Sequence, residues 1–197
     1  MDHIIYLHGF LSSPKSEKAQ LVSNFVSIEY PNVQVHMPTL SGNPDLAFET
    51  IENLISRLIQ NKDTPIEKLL FIGSSMGGYL STYFVETYGG KAVLINPAVE
   101  PFELIEEYKG LQTNPHTGEV FTIDQYSVDK LRQIYKKIQV NDPKYLVFLQ
   151  KGDEVLDYRL AEKKYGSQQC IIEDGGNHGF LGLENHLNDT IEFLLQE

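Results

Sequence analysis

Short apolar runs alternate with amphipathic stretches along most of the chain, the pattern of a parallel sheet wrapped by helices. The runs predict strands at residues 3–7, 33–37, 69–73, 92–96, 145–150 and 169–173. Each is nearly continuous in Ile, Leu, Val, Phe or Tyr, as expected of strands covered on both faces. The stretches between them predict helices over 17–28, 45–60, 76–88 and 157–165, with 183–195 closing the chain. Asn43 with Pro44 marks a helix start, and Gly89-Gly90 a stop. The fold class that follows is α/β, a three-layer α/β/α sandwich around a mostly parallel sheet of about six strands.

One segment breaks the rhythm. Residues 98–140 contain no convincing strand, only helical patches at 102–108 and 124–138 around the loop LQTNPHTGEVF. An insertion between two sheet strands is expected above the carboxyl edge of the sheet, where open α/β sheets bind ligands. The expectation is a small helical cap or lid on a single domain spanning 1–197, with a plain replacement for a crossover helix as the alternative.

Composition narrows the class. The chain has 197 residues, 41% hydrophobic and 22% charged, which suits one globular domain able to bury its core without metals or disulfides. Cys170 is the single cysteine and sits in the apolar run QQCIIE, so it reads as a buried thiol of a reduced protein. The net charge is −11, from 27 acidic and 16 basic residues. Such a field repels nucleic acid and anionic bilayers, leaving small molecules as the expected partners. Lys15 and Lys18 read either as a local basic patch or as solvated helix lysines. The start, MDHIIYLHGF, carries an acid where a signal peptide is basic, and no apolar run is long enough to span a bilayer. A cytoplasmic protein without a membrane span is expected, of an oligomeric state the sequence does not specify.

Candidate chemistry centres on LLFIGSSMGGYLSTYF. A predicted strand runs into Gly73-Ser74-Ser75-Met76-Gly77 and a helix follows at once, the G-x-S-x-G elbow of the α/β-hydrolase fold. Ser74 would need glycine at 72 and 76, which hold Ile72 and Met76; Ser75 has glycine at both flanks and is the candidate nucleophile. A serine hydroxyl needs a base within reach, itself oriented by an acid. In this fold the chain order is Ser, then acid, then His.

GGNHGF after the last predicted strand supplies His178 as base; His186, the other downstream histidine, falls in the terminal helix pattern and reads as a surface residue. The acid comes from QKGDEVLDYR, where Asp153 follows the strand directly. Glu154 is expected to face away, and Asp157 to cap the next helix. For the oxyanion hole the backbone N–H of Met76, next to the nucleophile, pairs with that of Phe10, after the first strand. Gly9 lets that loop approach, His8 braces it, and Phe10 and Leu11 wall an acyl pocket. Ser12 and Ser13 supply polar contacts or cap the next helix. No phosphate-binding glycine pattern and no metal-ligand spacing occurs, so no cofactor and no metal is expected.

With these pieces in order, the chain resembles the YqiA-type esterase family of small bacterial α/β-hydrolases. The matching stretches are IIYLHGFLSSPKSEKA, FIGSSMGGYLSTYF, LINPAVEP, NPHTGE, QKGDEVLDYR and GGNHGF, spread from residue 4 to residue 180. The resemblance implies hydrolysis of carboxylic acyl esters, or of thioesters such as acyl-CoA, without a cofactor. By motif it places nucleophile, acid and base on Ser75, Asp153 and His178. The single glycine before Phe10 differs from the HGGG run of some lipases and resembles hydrolases of short to medium acyl chains. An acyltransferase and a non-catalytic binding protein of the same fold are the rival readings.

Overall fold

A computed structural model describes residues 2–60 and 68–196 of the chain. The first half runs β1 (Asp2–Leu7), α1 (Glu17–Glu29), β2 (Val33–His36), α2 (Pro44–Gln60), β3 (Leu70–Ser74), α3 (Met76–Tyr88) and β4 (Lys91–Ile95). An insertion follows: α4 (Pro101–Glu106), β5 (Gly110–Thr113), β6 (Val120–Ile123) and α5 (Gln125–Lys137). The chain then closes with β7 (Tyr145–Gln150), α6 (Tyr158–Tyr165), β8 (Gln169–Glu173), a 3-10 turn at Leu183–His186 and α7 (Leu187–Leu195).

Six strands form one parallel sheet in the order β2-β1-β3-β4-β7-β8. Period-two alternation sends side chains of one strand into two separate cores. Ile5, Leu7, Phe71, Leu94 and Val147 face α2, α3, α5 and α6, while Ile4, Tyr6, Ile72, Val93 and Phe148 face α1 and α7. Both faces of the central strands are covered, which is why β3, β4 and β7 read as nearly unbroken apolar runs. Capping oxygens fix several helix starts: Ser16 accepts the Ala19 N–H, Asp124 that of Ser127 and Asp157 that of Arg159. The cap of α1 is thus Ser16, not Ser12 or Ser13. Cys170 is half-buried, its thiol directed at the Tyr165 carbonyl, and burial pushes its pKa up. No helix among the described residues is long and apolar enough to cross a membrane.

Sheet order places the site. β2 and β3 flank β1 on opposite sides, so the chain's winding reverses there and the loops after β1 and β3 open a crevice at the carboxyl edge.

The insertion corrects the sequence reading in one respect. Part of the expected loop is an antiparallel hairpin, with Gly110 opposite Ile123 and Thr113 opposite Val120. Its strands have four residues each, and the first, Gly-Leu-Gln-Thr, carries no buried position that would alternate. Tertiary contacts hold it instead. Asn114 Nδ2 donates to the Ser12 carbonyl at 3.0 Å, and Asn43 Nδ2 to the Thr122 carbonyl at 3.1 Å. The Glu119 carboxylate accepts the Ser41 hydroxyl and the Gly42 N–H. The Phe121 ring lies where any Cβ at Gly42 would overlap it. The hairpin therefore sits over the loops that follow β1 and β2. Meanwhile α5 packs into the core, its Leu131 carbonyl accepting the Tyr79 hydroxyl at 2.6 Å. The segment both overhangs the carboxyl edge and covers one face of the sheet.

Phe121 is the apolar pin of this arrangement, at 6% exposure. Phe121→Ala is expected to cost about 3 kcal/mol or more in urea denaturation, with the amides of 110–123 gaining the most in hydrogen-exchange rate.

Candidate active site

The elbow is forced by how closely three backbones meet. Ser75 links β3 directly to α3 with φ 55° and ψ −120°, a conformation that a residue with a Cβ adopts only where its surroundings over-determine it. The Ser75 N–H donates to the Ile95 carbonyl at 3.1 Å, and its own carbonyl accepts from Gly78 at 2.9 Å and Ala98 at 3.0 Å. A Cβ at Gly77 would overlap the Leu7 carbonyl of β1, and one at Gly73 the Gly77 carbonyl and the Ser81 hydroxyl. The glycines of the motif are thus required by the approach of α3 to β1 and β3. Ser74 completes β3 and is buried.

The structure brings His178 to Asp153. Nδ1 of His178 lies 3.0 Å and 2.9 Å from the two Asp153 carboxylate oxygens. The Asp153 side chain is 2% exposed and that of His178 23%. Burial pushes the Asp153 carboxyl up, but hydrogen bonds from His178 and from the Leu156 and Val155 N–H groups outweigh it, leaving the pKa below the ordinary value. Asp157 caps α6 and pairs with Arg159, a structural duty as expected.

Two side chains depart from expectation. Glu154 turns toward the loop, its Oε2 accepting the His178 backbone N–H at 3.0 Å. His186 is packed, not on the surface: its ring lies 4.8 Å from that of Phe148, and Nε2 is 2.9 Å from Glu173.

The loop carrying His178 is built on two residues that the sequence reading gave no role. Gln150, 3% exposed at the end of β7, accepts the Asn177 and Leu181 N–H groups and donates to the Leu181 carbonyl and to Glu173. Asn96, also buried, accepts the Gln150 N–H at 3.0 Å and donates to the Asn177 carbonyl at 3.0 Å. Their signal in the sequence is an amide side chain closing an apolar strand, where a buried polar group must find partners.

Ser75 and His178 line one cavity of about 210 Å³ at the carboxyl edge, together with Gly9 and Phe10. Among the described residues no hydrogen bond joins Ser75 Oγ to the imidazole; such bonds commonly tighten only when substrate is bound. Gly9 and Phe10 also line a second, narrow apolar recess with Leu11, Leu40, Met76 and Leu131. The N–H groups of Phe10 and Met76 donate to no backbone acceptor among the described residues, and Met76 is the first residue of α3, where N–H groups are left free. Buried His8 braces the loop, with Nδ1 2.9 Å from the Gly9 carbonyl and Nε2 accepting the Leu40 N–H at 3.0 Å. Among the described residues no three His, Cys, Asp or Glu side chains gather where a metal would bind.

Comparison with known proteins agrees with this architecture. The model of the family described as "Uncharacterised protein family (UPF0227)" matches residues 3–195. The UPF0227 protein PM0825 of Pasteurella multocida is 27% identical over 186 residues, covering 93% of this chain and 94% of its own. Among solved structures, Est1E from Butyrivibrio proteoclasticus with ferulic acid bound superposes with a TM-score of 0.73 at 14% identity, over 99% of this chain and 88% of that one. An alpha/beta superfamily hydrolase from Oenococcus oeni gives 0.66 at 14% identity, over 100% and 94% of the two chains. The fold is that of the α/β-hydrolases.

Removing the amide of Gln150 while keeping its length leaves Asn177, Leu181 and Glu173 without their partner. Gln150→Met is expected to cost about 2–4 kcal/mol in stability, with lost exchange protection at the Asn177 and Leu181 amides.

Proposed function

The chain belongs to the UPF0227 family, and from the geometry of its carboxyl-edge cavity we propose that it is a serine hydrolase of carboxylic esters, with Ser75, His178 and Asp153 as catalytic residues. The observation that carries this reading is the imidazole of His178, held at Nδ1 by a nearly buried carboxylate and lining the same cavity as a serine on a strained elbow.

In this reading Ser75 Oγ attacks the ester carbonyl carbon while His178 Nε2 takes the hydroxyl proton. The negative charge that develops on the carbonyl oxygen is met by the N–H groups of Phe10 and Met76. The tetrahedral intermediate collapses as His178 returns the proton to the departing alkoxide, leaving an acyl-serine and a free alcohol. Water, deprotonated by the same imidazole, then attacks the acyl carbon, and the second collapse frees the acid and restores Ser75. Asp153 keeps the proton on Nδ1, so that Nε2 is the acceptor, and stabilises the imidazolium without itself being protonated. The narrow recess beside Phe10 and Met76 is lined by apolar side chains such as Leu11, Leu40 and Leu131, the kind of surface an acyl group meets. No cofactor enters any of these steps.

The same groups would cleave a thioester or transfer the acyl group to another alcohol, and turnover of a panel of oxygen esters and acyl-CoAs, with and without an acceptor, separates these cases. Fluorophosphonate treatment is expected to add one covalent label, mapped by mass spectrometry to Ser75. Ser75→Ala is expected to lose at least about 10⁴-fold in ester hydrolysis with the fold intact, and Asp153→Asn a loss of about the same order. Unlabelled, folded protein would instead favour a non-catalytic binding role.

A further inference from the structure

The stretch NPHTGE forms the turn of the hairpin between β5 and β6, and none of the hydrolytic steps uses it. Its Asn114 is 1% exposed. Oδ1 of that side chain accepts the N–H groups of His116 at 2.9 Å and Thr117 at 3.3 Å. The Gly118 N–H donates to the Asn114 carbonyl at 2.9 Å. These bonds fix the turn and hold the amide in one orientation, with Nδ2 donating to the Ser12 carbonyl at 3.0 Å. Among the described residues that carbonyl receives no other hydrogen bond.

Ser12 ends the segment that carries the Phe10 N–H. The Ser12 N–H donates to the Gly9 carbonyl at 3.3 Å, closing a four-residue turn with Phe10 and Leu11 in its middle. Leu11 stands at φ 52°, a conformation natural to glycine, so the turn keeps this shape only where its surroundings impose it. His8 braces the Gly9 end, with Nδ1 2.9 Å from the Gly9 carbonyl, and Asn114 braces the Ser12 end. Between them the Phe10 ring meets Tyr108 edge-on at 5.1 Å and Phe121 at 6.1 Å, both from the insertion. The turn also stands directly against the nucleophile, since a Cβ at Gly9 would lie 3.2 Å from that of Ser75. Any change in its shape therefore moves the Phe10 N–H relative to Ser75.

We propose that Asn114 is a positioning residue for catalysis. By holding the Ser12 carbonyl it fixes the strained turn of residues 9–12, and together with Tyr108 it keeps the Phe10 N–H aimed at the oxyanion formed on attack by Ser75. This rests on the esterase reading, in which that N–H is one of two oxyanion donors. The insertion is then part of the catalytic apparatus rather than a detachable cover, because the oxyanion hole is complete only while the hairpin is docked. Such a donor acts on the transition state and not on bound substrate, and displacing it by about 1 Å costs about a hundredfold. The loss falls on kcat and leaves KM in place.

Asn114→Asp keeps the acceptor for His116 and Thr117 and replaces only the donor that faces Ser12. Hydrolysis of 4-nitrophenyl acetate is followed in wild-type protein and variants, with kcat referred to the fraction of chains that fluorophosphonate labels at completion. For Asn114→Asp, kcat per labelled chain is expected to fall about ten- to a hundredfold, with KM changed by less than about threefold. Tyr108→Leu frees the Phe10 ring without touching the hairpin turn. It is expected to give a smaller loss of the same kind, and it decides the matter if Asn114→Asp does not fold. A kcat per labelled chain within about twofold of wild type in every variant that folds, or a loss confined to KM or to the labelled fraction, overturns this inference alone. Wild-type protein that turns over no ester overturns the esterase reading and this inference with it.

Discussion

The close approach of α3 to β1 is the constraint on which the site depends. The Leu7 carbonyl leaves no room for a Cβ at Gly77, so the helix can begin immediately after β3 only if glycine stands there. That abrupt start forces Ser75 into positive φ, at a cost of about 1–3 kcal/mol. Hydrogen bonds to the Ile95 carbonyl and from Gly78 and Ala98 keep the strained conformation in place. The strain lifts the hydroxyl off the sheet edge and leaves the N–H of Met76 unpaired beside it. On the proposed reading, packing of the central strands, remote from the Ser75 hydroxyl, thus sets up both the nucleophile and a donor for the oxyanion it generates.

A second frame, made of amide side chains, serves the imidazole. Asn96 joins the ends of β4 and β7, and Gln150 extends that junction to the loop carrying His178. Glu154 takes the His178 N–H, while its neighbour Asp153 takes Nδ1. Consecutive carboxylates therefore hold the backbone and the ring of one residue. Because the loop is otherwise rich in glycine, with positive φ at Gly175, Gly176 and Gly182, these polar contacts do the work that apolar packing does elsewhere.

Legibility in the sequence followed the kind of interaction. The strand run 145–150 coincides with β7, whose six residues are all buried, since two-sided burial leaves an unbroken apolar record. The elbow was equally plain, because a steric requirement for glycine on both sides of a serine writes itself as a motif. The hairpin of β5 and β6 was not, because its strands are held from outside, by Gly42, Ser12 and Asn43. Glu154 and His186 went the same way: each is fixed by a partner more than ten residues distant.

By itself, then, the sequence determined the layered α/β architecture, the place of the strained serine and the order in which an acid and a histidine follow it. Those features depend on local sterics and on the periodicity of burial, both of which act between near neighbours in the chain. Only the tertiary structure decided that His178 meets Asp153 through both carboxylate oxygens, that Glu154 supports the same residue, and that Asn114 reaches the loop after β1. These are meetings of segments up to 102 residues apart, from Ser12 to Asn114, and they exist only once the sheet has brought its carboxyl ends to one edge.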